Sequence, residues 1–376
     1  MSMSSCFWKL YAAGLWNNPA LLADFPKLSL PQWQFLLQKA EGIRVQGLVI
    51  DGITLLSKDL QPSEEFAEQC VMSMVKETRR HWDNNKVIAD LFHRWNEVGV
   101  HPVLLKGQGY ARMYERPFRR VIGDIDVFVC KKEWERAMEV VNSLPLDNEE
   151  MPDIGKHIEF FYRSKAVELH RYSAKLRHKP KSNEAYQEWS EAELSGSTAG
   201  FYINERGEYA EEGEWITVPP QGFDIVYNFI HLWEHIYSCM PKVRALADWM
   251  LLLHHSHGSI DKVELEKRLR QFGLLRHWQA IGCFVVKYMG MNPDEMPFYD
   301  SKYEKAADRY LNFFNQNIVG LRPKVETGNF LVRKTKSMCN YLLNTRCTFG
   351  VLPTERVIKN ILTTLYCGVR GVIKKN

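Results

Sequence analysis

The sequence predicts an α+β protein in which a small mixed sheet with helices on it lies between helical N-terminal and C-terminal segments. Three observations predict this. Residues 101–171 alternate short apolar runs with amphipathic stretches, the mark of strands and helices in alternation. The run Arg120-Val-Ile-Gly-Asp-Ile-Asp-Val-Phe-Val129 places two acids at the start of one such strand. From Gly222 onward the spacing of apolar residues is helical almost to the end.

Residues 1–85 read as helices broken by prolines at 19, 26, 31 and 62. Leu28-Ser-Leu-Pro31 followed by Gln32 to Lys39 has the form of a cap, a proline in the first turn and a helix. Lys86 to Val98 is helical because its apolar residues fall at 87, 88, 91, 92, 95 and 98, and Gly99 ends it. A strand follows at 101–105, then a helix at 108–114, a strand at 122–129, a helix at 131–143 and strands near 157–162 and 166–171. Residues 172–219 are rich in Lys, Ser, Asn, Glu and Gly, with strand-like islands at Phe201-Tyr-Ile203 and Trp215-Ile-Thr-Val218 and a hairpin at Glu205-Arg-Gly-Glu208. This stretch reads as an elaborated connection and a candidate lid. Helices are expected at 223–238, 243–257, 262–271, 275–289, 302–316, 326–344 and 353–372. The last is amphipathic and basic. Packing on the helical domain is the expectation, with contact to a membrane surface as the alternative. The division expected is thus 1–85, 86–219 and 220–376.

Asp124 and Asp126 are separated by one residue, so in a strand both side chains point to one face. Adjacent carboxylates repel unless a proton or a cation lies between them. Mg²⁺ or Mn²⁺ suits them, as a hard ion that binds through oxygen and keeps substrate phosphates in its shell. The plainer reading is two acids facing solvent on an edge strand. Upstream, Lys106-Gly107-Gln108-Gly109 closes an apolar run just before a helix. Glycines let a backbone approach a ligand closely, and the free N–H groups at a helix start attract phosphate. Downstream, Glu168 and His170 share one face of a strand, and Glu168 would bring a third carboxylate to the pair.

The segments Leu-Leu-Lys-Gly-Gln-Gly-Tyr-Ala-Arg-Met-Tyr and Arg-Pro-Phe-Arg-Arg-Val-Ile-Gly-Asp-Ile-Asp-Val-Phe-Val, followed by Glu168-Leu-His170, resemble an uncharacterised bacterial nucleotidyltransferase family of the DNA polymerase β superfamily. The resemblance spans roughly residues 86–255 and extends to His231, His235, Arg244 and Asp248. It implies a polymerase β-like core and a transferase that moves a nucleoside monophosphate from an NTP, such as ATP, to an acceptor hydroxyl. That hydroxyl would belong to a small molecule, a sugar phosphate or a protein side chain. It also implies that Asp124 and Asp126 bridge two Mg²⁺ ions, that Glu168 binds the first, and that Lys106, Gly107, Gln108, Gly109, Arg120 and Gly123 line the nucleotide site. Better-known enzymes of the superfamily carry Gly-Ser or Gly-Gly at the first turn, where this chain has Lys106-Gly107-Gln108. That departure keeps open an inactive binding module with the same fold. A phosphohydrolase of the haloacid dehalogenase type also uses Asp-x-Asp, but after a long apolar strand, and here only Val121 and Ile122 precede Gly123.

With 45% apolar residues the chain can build a sizeable core, and its 49 basic and 45 acidic residues are too balanced to argue for nucleic acid. Eight cysteines occur without any Cys-x-x-Cys, so reduced thiols and a cytoplasmic setting are expected. No leader and no run of about 18 apolar residues is evident. Several residues have plainer assignments. Arg119 and Arg120 would meet phosphates or pair with Glu115, while Arg244 and Asp248 would form a helical i,i+4 ion pair. His231 and His235 would rim a pocket or sit in the core, and His254, His255 and His257 would close a helix end with no metal.

Overall fold

The computed structural model describes residues 1–148, 151–153, 155–177, 179–237, 242–315, 358, 361 and 362. Twelve helices and seven strands are placed among them. The helices are α1 (Met3–Trp16), α2 (Leu30–Gly42), α3 (Gln46–Thr54), α4 (Glu64–Glu97), α5 (Gln108–Ala111), α6 (Trp134–Ser143), α7 (Asn183–Ser195), α8 (Gln221–Tyr237), α9 (Val243–Ser256), α10 (Lys262–Gln271), α11 (Leu275–Met289) and α12 (Glu304–Phe314). The strands are β1 (Val103–Leu104), β2 (Ile125–Phe128), β3 (His157–Tyr162), β4 (Lys165–His170), β5 (Gly200–Ile203), β6 (Tyr209–Ala210) and β7 (Glu214–Thr217). The helix expected at 326–344 and all but three residues of the one expected at 353–372 lie outside the described residues.

The main sheet has strand order β1-β2-β4-β3, with β2 and β4 parallel and both outer pairs antiparallel. Side chains alternate between its faces. Leu104, Ile125, Val127, Ile158, Phe160, Val167 and Leu169 bury one face against Val87, Ile88, Leu91, Phe92 and Trp95 of α4 and against Ala137, Val140 and Val141 of α6. The opposite face carries Asp126, Glu168 and His170, with Val103 and Phe128 joining the helical core. A second, three-stranded sheet of order β6-β5-β7 supplies Ile203 and Ile216 to the first core. It fulfils the expected strand islands, and its hairpin turns at Asn204–Glu208.

α4 differs from expectation. The helix read over 86–98 is the C-terminal part of one helix of 34 residues, and the division expected at 85/86 falls inside it. Its sequence holds no Gly or Pro, and Glu64 and Glu65 favour its N-terminus. The helix expected at 108–114 stops at Ala111. α7 was not foreseen, because its apolar residues are few among polar ones.

The N-terminal helices pack with those after Gly222 in one large core. α1 and α3 cross so closely that a Cβ at Gly52 would lie 2.1 Å from the Leu10 carbonyl oxygen. The Tyr11 hydroxyl donates to the Val243 carbonyl at 3.0 Å, tying α1 to the start of α9. This packing brings α8 and α9 over the acidic face of the main sheet. No helix of the described residues is long and apolar enough to cross a membrane.

Candidate active site

Parallel pairing of β2 with β4 sets Asp126 directly beside Glu168. His170, two residues further along β4, is fully buried beneath them. Its Nε2 lies 3.0 Å from Asp126 Oδ1 and 3.1 Å from Glu168 Oε2, so one ring nitrogen serves both acids. On the neighbouring strand, His157 pairs with His170, their rings 4.7 Å apart, and its Nδ1 is 3.3 Å from Glu168 Oε2. From the other flank Lys106 places its Nζ 2.8 Å from Asp126 Oδ1. Burial works to raise the Asp126 pKa, but the Lys106 charge and the His170 contact outweigh it and hold the carboxyl well below its usual range.

Asp124 lies one residue before β2, is exposed, and faces the same cavity as Asp126 and Glu168. The three acids are therefore brought together, at the wall of a cavity of about 400 Å³. Lys106, Gly107, Arg120 and Gly123 also line it. Gly107 has φ 61° and ψ −115°, a backbone state strained for any residue with a Cβ, and open space surrounds it. Gln108 and Gly109 do not reach the cavity. Gln108 is 1% exposed, and a Cβ on Gly109 would meet Val218 at 3.2 Å on another side.

Arg120 is placed differently from a free phosphate ligand. Its Nε and Nη2 donate to Asp248 Oδ1 and Oδ2 at 2.7 and 2.8 Å, and Tyr114 donates to Oδ1 at 2.8 Å. Burial disfavours the guanidinium charge, yet Asp248 holds its pKa above the ordinary value. The helical pair expected between Arg244 and Asp248 gives way to this longer-range pair, and Arg244 Nη1 donates instead to the Val121 carbonyl. Arg119 pairs with Asp51 at 2.9 Å, not with Glu115.

α8 and α9 form the opposite wall through Asn228, His231, Glu234, His235, Arg244 and Asp248. The imidazoles of His231 and His235 lie 4.5 Å apart. Burial, helped by nearby cations, pushes the His231 pKa far down and that of His235 down to about 3. Five further cations line the cavity that sequence reading did not select: Arg44, Lys156, Lys175, Arg177 and Lys242. Burial and the Lys106 charge lower Lys156 to about 8. Arg44 lies between α2 and α3, far in sequence from the motifs. The distal histidines serve structure, with His254 bonded to Glu295 at 2.7 Å and His255 to the Met113 carbonyl at 2.9 Å.

Three carboxylates offer hard oxygen donors, the set a divalent ion such as Mg²⁺ accepts. Asp126 and Glu168 already draw an ammonium and an imidazole onto their oxygens, which is how acids behave at a cation site. His157, Glu168 and His170 also place three ligand atoms within 4.8 Å of one another. His170 Nε2, however, is engaged as a hydrogen-bond donor to two carboxylates. A family model described as an uncharacterised nucleotidyltransferase matches residues 29–290. No curated protein and no solved structure matches the chain.

Proposed function

The chain belongs to this uncharacterised nucleotidyltransferase family, and we propose on that premise that it is a Mg²⁺-dependent transferase of polymerase β-like architecture. It would move a nucleoside monophosphate from an NTP to an acceptor hydroxyl. One observation carries the reading: Asp124, Asp126 and Glu168 share one cavity wall with the Lys106-Gly107 turn. Asp124, Asp126 and Glu168 would hold Mg²⁺ or Mn²⁺. Bound there, the ion would supply Lewis-acid stabilisation of the phosphoryl oxygens and acidify the acceptor hydroxyl.

The residues themselves bind and orient. Gly107 lets the backbone approach the phosphates at the start of α5. Lys106 exchanges its contact with Asp126 for one with a phosphate oxygen. His170 fixes the facing oxygens of Asp126 and Glu168 from below, so the acids meet the reactants pre-organised. The acceptor oxygen bonds to the α-phosphorus as the bond to the bridging oxygen breaks. The electron pair leaves with pyrophosphate, and the acceptor proton passes to solvent past Glu168. Little covalent chemistry is asked of the protein in such a transfer. Four buried free thiols, Cys6, Cys70, Cys130 and Cys283, accord with a cytoplasmic setting.

The test is thermal. Each of the four NTPs is added with Mg²⁺ and, separately, with a chelator. At least one NTP raises the melting temperature when Mg²⁺ is present and fails to do so without it. Absence of a shift with every NTP overturns the reading in favour of an inert module.

A further inference from the structure

The lining of the cavity is net positive, and the sheet sorts its cations into two flanks. The lining holds eight Lys and Arg residues against five Asp and Glu. Two of the cations are committed, Arg120 to Asp248 and Lys106 to Asp126. Lys156, Arg177 and Lys242 line the cavity with no ion pair or side-chain hydrogen bond among the described residues. Some cations elsewhere on the surface find carboxylates, as Lys267 and Arg268 do on Glu264, Arg270 on Glu266 and Lys287 on Asp308. Unpaired like charges facing one cavity repel each other, and an anion relieves them.

Strand order places these cations. Lys106 and Gly107 follow β1, on one edge of the sheet, while Lys156 precedes β3 on the other edge. Asp126 and Glu168 stand on the two strands between. The register sets Leu104 level with Ile158, so Lys106, two residues beyond the one, and Lys156, two before the other, stand three strand spacings across and four residues along from each other, with backbones roughly 20 Å apart. Arg177 follows the end of β4, on the Lys156 side. The Arg171 amide bonds the Lys156 carbonyl at 3.0 Å, which fixes the start of that loop to the β3 edge. A triphosphate seated on the Gly107 turn therefore lies away from the far flank, where Lys156 and Arg177 share the cavity with the Glu234 carboxylate, which accepts from the Arg177 amide at 2.9 Å.

We propose that Lys156 and Arg177 form a second anion subsite, and that the acceptor carries a phosphate or carboxylate group which they hold while its hydroxyl faces the acids. The assignment rests on the nucleotidyl-transfer reading above. It narrows the acceptor to an anionic molecule and gives the two flanks separate tasks, one for the donor and one for the acceptor.

Calorimetry on the full chain tests it. The protein is first saturated with Mg²⁺ and a non-hydrolysable analogue of the NTP that stabilises it. Inorganic phosphate and, in a second arm, acetate are then titrated in. Phosphate or acetate binds the nucleotide-loaded protein, and the arm that binds identifies the group. Lys156→Gln and Arg177→Gln each weaken that binding at least about tenfold, the loss of one charge-assisted contact, while nucleotide affinity changes less than about threefold. Melting temperatures confirm that both variants are folded. The assignment is overturned if neither anion binds, if the anion competes with the nucleotide, or if both variants lose the nucleotide equally. Absence of nucleotide binding in the first step sinks the transferase reading itself, a different outcome from the loss of the second subsite.

Discussion

Asp248 and Asp126 face the same cavity, each beside a cation, yet their surroundings differ. Asp248 is sealed: Arg120 meets both of its oxygens, Tyr114 adds a third bond, and both charged side chains are under 5% exposed. Asp126 is open: a single lysine nitrogen and a shared histidine nitrogen meet the same oxygen, Oδ1. A planar guanidinium in a bidentate pair is a fixed joint, whereas an ammonium on a flexible stem is a point charge that can leave. Asp248 is therefore a joint of the fold, whereas Asp126 keeps its Oδ2 without a partner among the described residues. Asp224 is a third case, buried, with the Tyr110 hydroxyl, donating to Oδ1 at 2.7 Å, its only side-chain donor among the described residues, and burial lifts its pKa to about 8.

The largest effect falls on the sealed pair. Asp248→Asn strands the Arg120 charge in the core and lowers stability by about 3–5 kcal/mol, read by urea unfolding. If stability barely falls while turnover collapses, Asp248 belongs to the chemistry and the contrast is broken.

Next comes the open acid. Asp126→Asn cuts NTP-dependent transfer by roughly 10²–10³-fold, the scale of losing one preorganised electrostatic group. Its cost in stability stays below that of Asp248→Asn, because Lys106 can rehydrate at the cavity wall. Full activity in this variant ends the nucleotidyltransferase reading.

Asp224 sharpens the contrast through pH. Its folded pKa is raised, so between about pH 4 and 8 the unfolded chain gives up a proton that the folded chain keeps. Stability from this group is intact below that window, declines as pH rises through it, and levels off above about 8. Asp224→Asn, neutral throughout, lacks the decline. The stability of the variant minus that of wild type should rise by about 2 kcal/mol from pH 6 to 8, measured by unfolding at each pH. A constant gap means that Asp224 is ionised in the fold.

The acids of the cavity were not equally legible in the sequence. Asp124, Asp126 and Glu168 were readable because a strand has period two, and a local motif carries its own geometry. The strands at 157–162 and near 166–171 were readable for the same reason. Asp248 was misread as the partner of Arg244, because spacing along a helix is visible in a sequence and a contact 128 residues away is not. The burial of Gln108 and the cations at Lys156 and Lys242 escaped for that reason too, since each is defined by what packs across from it. The length of α4 was missed because its exposed N-terminal half includes Val71 and Met72 on the outer surface, which blurs the periodic stripe.

The smallest effect tests the open pair from its other side. Lys106 is 15% exposed at the side chain and contacts only Asp126 among the described residues, so removing it leaves the carboxylate at a hydrated wall rather than in the core. Lys106→Ala should therefore cost little stability. If the ammonium moves to a phosphate on binding, it stabilises the bound nucleotide in ground and transition states alike. The loss then appears as an NTP KM raised about tenfold, roughly one charge-assisted hydrogen bond, with kcat nearly unchanged. If Lys106 instead stays on Asp126 throughout the cycle, the variant loses kcat and keeps KM, because the acid has been mispositioned. The split between KM and kcat thus decides whether the open pair is an exchangeable contact or a second fixed joint like Arg120 with Asp248.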